Sequence, residues 1–459
     1  MTTLEFSTEL PVSAKAAYEW HERPGALERL TPPWEAVRVI RREGTLAEGR
    51  VELALSAGGA TRRWVARHRD GIPGRLFVDE QVEGPFARWV HTHRFEPLGP
   101  DRCQLIDQIA YQLPLGSLGS LGEGWVERRL ARGFRYRHDT LRDDLAAHAR
   151  FASETPLTVV VTGAGGLIGR SLLPFLTTGG HRVRRLARGA PRAGEARWDP
   201  ASGQLDSASF DGADAVIHLA GEPIANGRWS GASKHRILDS RVRSTTLVAE
   251  TMARLARPPR TLISASATGI YGDRGDQPVT EAMTDGAQQA SGFLARVGRA
   301  WEAATELAAD AGIRVVRLRI GLVLSPAGGA LGAMLPPFLA GLGGRLGSGR
   351  QYMSWISLDD VVGALHHALL TPALDGPVNA TAPEPATNGE FSETLARVLH
   401  RPAFLPVPAG ALRLLLGEMA DELLLSGVRV LPERLLSSGY RFRHPTLEHA
   451  LRHVLGRSA

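Results

Sequence analysis

Two lysines and one cysteine are all that this 459-residue chain has of either type. The lone Cys103 excludes an internal disulfide and a cysteine-based metal cluster, and it suits a reducing compartment, so a cytoplasmic location is expected. Lys15 and Lys234 leave almost no position where lysine could serve catalysis. No charged n-region followed by an apolar stretch opens the sequence, which speaks against a signal peptide. The net charge of +6 is nearly all arginine, spread along the whole chain with no basic block and no aromatic-basic module, so nucleic acid is not an expected partner. Ile320 to Gly344 carries no charge and is long enough for a bilayer. Ser325-Pro326, Gly328-Gly329, Pro336-Pro337 and Gly343-Gly344 interrupt it too often for a membrane helix, and loop with short helix is the expected form.

What is present centres on Val159-Val160-Val161-Thr162-Gly163-Ala164-Gly165-Gly166-Leu167-Ile168-Gly169-Arg170, an apolar run passing into glycines and then a helical pattern. Gly163, Gly166 and Gly169 recur every third residue, which allows a sharp turn, close approach of a pyrophosphate to the amides, and close packing of helix on strand. The helix starting near Leu167 and Ile168 points unpaired amides and its positive dipole end at the phosphates. A second strand is expected at His181 to Leu186, as a dinucleotide-binding unit requires.

Residues 1–150 read differently. Val51 to Leu55, Arg63 to His68, Leu76 to Val82, Trp89 to Phe95 and Gln104 to Tyr111 are strand-length runs separated by turn residues, as in an antiparallel meander. Val126, Leu130, Phe134, Leu141 and Leu145 then fall on one face of a helix from about Gly122 to His148, which must cover the sheet. This order resembles the helix-grip fold of the START-like polyketide cyclase and lipid-transfer superfamily, in which a curved sheet and a long helix surround an apolar cavity. The resemblance implies an apolar ligand; a filled structural core fits the pattern equally. Trp64, Phe77, Trp89 and Phe134 are the expected lining. His91 and His93 share a strand face, but with no third ligand nearby in sequence no metal site is expected.

From Leu157, apolar strands alternate with helices: Val159 to Thr162, Arg182 to Leu186, Ala215 to Ala220, Thr261 to Ser266, Arg314 to Ile320. The fold class is therefore α/β, a doubly wound parallel Rossmann sheet preceded by an α+β helix-grip domain with an antiparallel sheet. Ligands sit beyond the carboxyl ends of such strands, so Leu219, Ala220, Gly221, Ser266 and Gly321 should border the cofactor. An NAD site places Asp or Glu at the end of the second strand, about 20 residues past the glycine turn. Here no acid lies between Gly169 and Glu195, and Arg184, Arg185 and Arg188 stand instead. A guanidinium suits the 2′-phosphate, so NADP (NADPH) is expected over NAD, with Arg188 the foremost candidate.

Leu219-Ala220-Gly221-Glu222-Pro223-Ile224, the run Ser264-Ala265-Ser266-Ala267-Thr268-Gly269-Ile270-Tyr271-Gly272-Asp273, Met334-Leu335-Pro336-Pro337-Phe338, the stretch from Gly347 to Ile356 and that from Gly376 to Pro383 resemble an atypical short-chain dehydrogenase/reductase subgroup, the sugar-nucleotide epimerase-like family. Leu412 to Met419 and Tyr440 to Pro445 resemble the small module that closes it. The implied organisation is a helix-grip domain at 1–150, a cofactor and substrate domain at 157–404 and a C-terminal module at 405–459. The resemblance further implies a small-molecule substrate, with a homodimer the candidate assembly and Arg241, Arg350 and Tyr352 as substrate contacts. Ser354 and Trp355 lie in the same glycine-flanked segment, which could close as a loop, and His366-His367 fits a helix surface.

Extended members of this superfamily pair Tyr and Lys four apart on a helix, so that the ammonium lowers the phenol pKa. Neither lysine here has tyrosine four residues before it, and on the helix Phe293 to Glu302 the two positions are Leu294 and Gly298. Ser266 alone matches its counterpart. Ser266 and Tyr271 are the remaining candidates for proton handling, although a tyrosine in an Ile-Tyr-Gly turn also fits a packing role. Two functions are compatible with this inventory: an NADP-dependent oxidoreductase or epimerase on a carbonyl or sugar-type substrate, and a binding or regulatory protein that keeps NADP as a ligand.

Overall fold

A computed structural model describes residues 1–458 apart from 58, 115–121, 190–193, 226 and 284–289. It divides into two compact units, 1–154 with 174–180 and the last residues from 455, and 155–173 with 181–454.

The first unit contains β1 (Thr2–Leu10), α1 (Ala14–Glu22), β2 (Val37–Gly44), β3 (Gly49–Ala57), β4 (Ala60–Ile72), β5 (Leu76–Glu83), β6 (Arg88–Gly99), β7 (Arg102–Gln112) and α2 (Glu123–Ala149). The strands form one antiparallel sheet in the order β1-β7-β6-β5-β4-β3-β2. The five expected strands are all present, and β1 and β2 extend the sheet to seven. In β1 every second residue from Thr2 to Leu10 faces inward, the period-2 pattern of a strand with one buried face. On α2, Val126, Phe134, Leu141 and Leu145 are buried. Leu141 and Leu145 join a core with Leu10, Tyr18, Phe77 and Phe95, while Val126 and Phe134 pack with Trp89, Ile109 and Tyr111. Sheet and helix leave a cavity of about 730 Å³ whose apolar lining includes Val51, Leu53, Trp64, Trp89 and Phe134. Phe77 does not line it. That ring belongs to the core beneath, against Tyr18 and stacked on His93 at 4.0 Å.

The second unit is built on β8 (Thr158–Thr162), α3 (Leu167–Thr178), β9 (Arg182–Ala187), β10 (Glu195–Asp199), β11 (Gln204–Leu205), β12 (Ala215–His218), α4 (Gly231–Arg254), β13 (Thr261–Ala267), α5 (Phe293–Ala303), β14 (Arg314–Ile320), α6 (Leu358–Leu370) and β15 (Gly376–Ala380). The sheet order is β11-β10-β9-β8-β12-β13-β14-β15, parallel except for the β10–β11 pair. Val159, Val160, Val161, Val216, Ile217, Leu262 and Ile263 have no measurable exposure, which is why these strands read as continuous apolar runs instead of alternating ones. β8 lies between β9 and β12, so the chain order reverses there and a crevice opens at its carboxyl end.

Ile320 to Gly344 divides into a short strand, Leu322–Leu324, and a helix, Gly329–Leu339; among the described residues no helix is long and apolar enough to cross a membrane. His366 and His367 are not on a surface. Both are buried, His367 Nε2 2.9 Å from Ser438 Oγ and His366 Nε2 3.4 Å from His181 Nε2, because the chain after residue 405 packs back on α6. Asp360 anchors that return: its carboxylate accepts from Ser357 Oγ at 2.8 Å and from the backbone amides of Arg443 and His444 at 2.7 and 3.1 Å.

Candidate functional site

The glycine turn is shaped by clashes that only glycine avoids. Gly163 has φ +69°, and a Cβ there would lie 2.7 Å from the Leu219 carbonyl group and 2.9 Å from Ala220 N, so the turn after β8 presses directly on the turn after β12. A Cβ on Gly169 would come within 2.4 Å of Gly163 O, which fixes the close packing of α3 on β8. Gly165 is different: no atom lies within 4 Å of a Cβ built there, leaving the space above the turn clear. Gly166 N donates to Gly163 O at 2.9 Å and Arg170 N to Gly166 O at 3.0 Å, so Leu167, Ile168 and Gly169 form the first helical turn, whose amides have no intrahelical acceptors. An open turn, a helix amino end and the Leu219-Ala220-Gly221 wall are what a pyrophosphate requires, and these residues fit a dinucleotide.

The three arginines around the second strand separate cleanly. Arg184 Nη1 donates to the carbonyls of Ser209 and Asp211 at 3.3 and 2.5 Å, and Arg185 faces Glu195 across 3.9 Å. Arg188, one residue past β9, is exposed and carries no hydrogen bond or ion pair within the described residues. Glu195, the first acid after the turn, is the partner of Arg185 on β10.

Ser266, at the end of β13, donates to Glu302 Oε1 at 2.7 Å. Glu302, on α5, holds Arg319 of β14 through two parallel bonds of 2.8 Å. Arg319 Nη1 donates to Tyr271 Oη at 2.8 Å, and Tyr271 Oη donates to Asn379 Oδ1 of β15 at 2.8 Å. Burial opposes the charge of Arg319, but Glu302 more than restores it and its pKa rises; burial pushes the Tyr271 phenol up. The structure therefore brings Ser266 and Tyr271 into one network, yet encloses Tyr271 completely, with its phenol hydrogen committed to Asn379. In this arrangement Tyr271 joins strands and does not face the crevice. In the sequence Glu302 figures only as the end of a helix and Arg319 not at all; β14 carries three arginines, Arg314, Arg317 and Arg319, and nothing local singles out the one that meets Glu302.

The missing Tyr-x-x-x-Lys pair has a steric counterpart. A Cβ at Gly298 would stand 2.8 Å from Ile270 Cβ, and one at Gly269 3.3 Å from Leu294 Cβ. α5 lies so close to the Thr268–Tyr271 turn that position 298 has no room for a side chain. Its amino end is held by Glu422, whose carboxylate accepts from Phe293 N and Leu294 N at 2.7 and 2.8 Å. Nothing local in the sequence marks this long-range cap.

Arg241 lies behind Gly221, 6% exposed, its guanidinium 4.9 Å from the Trp301 ring and Nη1 donating to Ile237 O at 3.0 Å; burial lowers its pKa to about 10, with Glu222 opposing. Its Nε lacks a partner. Of the Arg350 to Trp355 segment, Arg350 is exposed and Tyr352 half-buried beneath Arg429 at 5.5 Å. Ser354 and Trp355 do not form a closing loop: Ser354 Oγ donates to Val428 O at 2.6 Å and accepts from Val430 N at 2.9 Å, and Trp355 begins the buried strand Trp355–Ser357, paired with Leu322–Leu324. Asp273 accepts from Gly427 N at 3.3 Å, and Gly427 in turn abuts the Tyr352 backbone, which links the loop beyond β13 to Tyr352.

Comparison with known proteins agrees with this geometry. Residues 159–380 match the NAD dependent epimerase/dehydratase family, residues 10–135 the polyketide cyclase / dehydrase and lipid transport family, and residues 407–454 a domain of unknown function. The chain is 46% identical over 294 residues to epimerase family protein Mb2239 of Mycobacterium bovis, an alignment covering 64% of this chain and 96% of that one. A crystal structure of a nucleoside-diphosphate sugar epimerase from Corynebacterium glutamicum aligns over 99% of this chain and 90% of its own, with TM-score 0.82 and 34% identity. Human epimerase family protein SDR39U1, crystallised with NADPH, aligns over 65% of this chain and 99% of its own, with TM-score 0.59 and 35% identity. The open glycine turn at the sheet's switch point and these matches lead to one conclusion: the chain belongs to the NAD(P)-binding epimerase family of the short-chain dehydrogenase/reductase type, here carrying an N-terminal polyketide cyclase-like domain.

Proposed function

We propose that the protein is an NADP(H)-dependent oxidoreductase or epimerase acting on a carbonyl or sugar-type small molecule, with Ser266 touching the reacting oxygen. The carrying observation is the sheet order, in which the glycine turn, the unpaired Arg188 and Ser266 follow or end β8, β9 and β13, with only β12 between β8 and β13. The NADPH-bound human relative supports the cofactor class. Preference over NAD rests on Arg188, free to meet a 2′-phosphate where an acid would otherwise hold the ribose hydroxyl. Bound NADP(H) would supply or accept the hydride. The chain's own part is to hold the pyrophosphate at Gly163 to Gly169 and along Leu219, Ala220 and Gly221, and to present the Ser266 hydroxyl to the substrate oxygen. The Ser266 hydrogen, accepted by Glu302 in this structure, would turn from that carboxylate to the substrate oxygen when substrate binds, and Arg241, Arg350 and Tyr352 supply contacts for a polar substrate. In the first unit, a cavity of about 730 Å³ lies within the roughly 300–1,000 Å³ range of small-molecule pockets, and its lining suits an apolar ligand.

A second reading, an NADP-binding regulator without turnover, is favoured by the absence of room at Gly298 and the enclosure of Tyr271. NADPH oxidation against a panel of carbonyl compounds and nucleotide sugars separates the two. Turnover is expected to be slow, since acid-base catalysis by the absent pair is worth roughly 10² to 10⁴-fold. It should fall a further 10 to 10³-fold, roughly, in Ser266→Ala as an oxyanion-type donor is lost, and change little in Tyr271→Phe. Brisk turnover untouched by Ser266→Ala would place the reaction elsewhere; tight NADPH binding with silence across the panel would establish the regulator.

A further inference from the structure

The wall of the N-terminal cavity carries a concentration of ionisable groups that neither cofactor binding nor apolar packing uses. His91 and His93, two residues apart on β6, face inward together. The third group that sequence spacing did not supply comes from the neighbouring strand: the β5–β6 register pairs Asp79 with His91, and the β6–β7 register pairs Asp107 with His93. One ligand atom each from Asp79, His91 and His93 lies within 4.8 Å of the other two.

Asp107 holds both histidines from behind. Its Oδ1 is 2.9 Å from His91 Nε2 and 2.7 Å from His93 Nδ1, while Oδ2 is 2.6 Å from His138 Nε2. That leaves Nδ1 of His91 and Nε2 of His93 as the forward nitrogens. His93 Nε2 lies 3.2 Å from Asp79 Oδ2, close to the roughly 3.3 Å that separates two ligands each about 2.0–2.1 Å from a tetrahedral ion. Hydrogen bonds account for only part of the cluster, joining His91 Nε2 and His138 Nε2 to Asp107 and His93 Nε2 to Asp79, and two buried atoms are left over. Asp79 Oδ1 is 2.9 Å from His68 Nε2, and His93 Nδ1 is 2.7 Å from Asp107, yet neither contact is aligned as a hydrogen bond and both atoms are fully buried. Asp79 and His91 line the cavity, so a group bound between them would face its contents.

We propose that Asp79, His91 and His93 bind one divalent transition-metal ion of the zinc, iron or manganese kind in the cavity wall, with a coordination position open to the cavity. Two imidazoles and one carboxylate with a vacant position make up the ligand set of catalytic, not structural, metal sites. Asp107 backs both rings, hydrogen-bonded to His91 Nε2 and in ion-pair contact with His93 Nδ1, and so orients them. An ion so placed would polarise an oxygen of the cavity's occupant or of a bound water. The first unit is then a metal-dependent binding or reactive site, independent of the nucleotide chemistry of the second.

The test uses the full-length protein, purified without chelator, analysed for metals, then stripped and titrated with Zn²⁺, Mn²⁺, Fe²⁺ and Co²⁺. About one equivalent of at least one of these ions is expected, with visible Co²⁺ absorption if the site is four- or five-coordinate. Asp79→Asn and His91→Gln should each abolish binding while NADPH affinity is retained, and Asp107→Asn should weaken it roughly 10 to 100-fold. A second buried group, Asp359, His444 and His453 in the other unit, serves as the control, and His444→Gln should leave the titration unchanged. Wild-type protein that binds none of the four ions more tightly than about 1 mM overturns the proposal. So does an equivalent that survives in Asp79→Asn or disappears in His444→Gln. If the β-strand variants fail to fold, wild-type stoichiometry together with the His444→Gln titration still decides.

Discussion

The two units treat charge at their working ends in opposite ways. In the parallel unit, Ser266, Glu302, Arg319, Tyr271 and Asn379 form a chain in which each bond has good geometry, with Ser266 at its end, and the exposed reach for the cofactor is left to Arg188 and the backbone of the glycine turn. In the antiparallel unit, carboxylates and imidazoles gather on the wall of a hollow, and some of their closest contacts are not hydrogen bonds. A satisfied network holds strands together; an incompletely satisfied one beside a cavity is a place for something else to bind.

The largest expected effect breaks the satisfied network. Glu302→Gln leaves Arg319 buried without its counter-charge, and loss of one partner of a buried pair typically costs about 3–5 kcal/mol. Chemical denaturation followed through the second unit should show this, with Arg319→Met comparably damaging. Truncating Arg63, paired with Glu52 at 2.6 Å on the exposed face of the antiparallel sheet, should leave the midpoint unmoved. If the two losses proved equal, the contrast between the units would fail.

Next comes a proton. His218, at the end of β12, has its Nδ1 2.8 Å from Thr162 Oγ1 and its Nε2 3.2 Å from Ser244 Oγ. Thr162 Oγ1 already accepts from Leu219 N at 3.2 Å and Ser244 Oγ donates to Arg241 O at 3.2 Å, so the hydroxyl of Thr162 donates to Nδ1 and the proton sits on Nε2. Burial lowers this imidazole from 6.5 to about 4. The unfolded chain therefore takes the proton more readily, and His218 contributes stability that is complete above pH 6.5 and lost as pH falls through about 4. The span corresponds to roughly 3 kcal/mol. Denaturation midpoints between pH 7.5 and 4 should fall less steeply in His218→Gln than in the wild type, and parallel slopes would refute the assignment.

How far these features were legible in the sequence follows from their range along the chain. The glycine turn, β8 and α3 are contiguous, and each residue's role there depends on its near neighbours. Val126, Phe134 and Leu145 declared α2 through their spacing alone. The Ser266–Glu302–Arg319 chain spans 36 and 17 positions and exists only because β13, α5 and β14 are adjacent. Asp79 and His91 became neighbours through strand register, which no spacing rule reveals when the turns vary in length. β1 carried the right alternation but stands at the start of the chain, far in sequence from β7, its partner. Arg184, Arg185 and Arg188 looked equivalent as letters; two were absorbed by Asp211 and Glu195, which only folding brings near.

Arg188 gives the next prediction, because it represents the exposed charge in the comparison. Arg188→Ala should remove about 1.5–3 kcal/mol of the preference for NADPH over NADH, a charge-assisted contact to the 2′-phosphate, and leave stability unchanged. Titration of both cofactors by fluorescence checks this. Equal affinities in the wild type would show that the free guanidinium meets no phosphate.

The smallest effect concerns two glycines that differ only in their surroundings. Gly133 lies in the middle of α2 and on the cavity wall, and a Cβ there would have no atom within 4 Å. Glycine within a helix costs roughly 0.5–1 kcal/mol relative to alanine, so Gly133→Ala should stabilise the first unit by about that amount. Gly169→Ala, with its Cβ at 2.4 Å from Gly163 O, should instead disrupt the turn and NADPH binding with it. A larger residue tests whether the hollow is functional space: Gly133→Leu should be tolerated as a fold, since it grows into the cavity and not into packed atoms. It should also lower the capacity of the first unit for an apolar fluorescent probe. Loss of folding in Gly133→Leu equal to that in Gly169→Ala would mean that the cavity collapses in solution, and the two units would then differ in topology but not in packing.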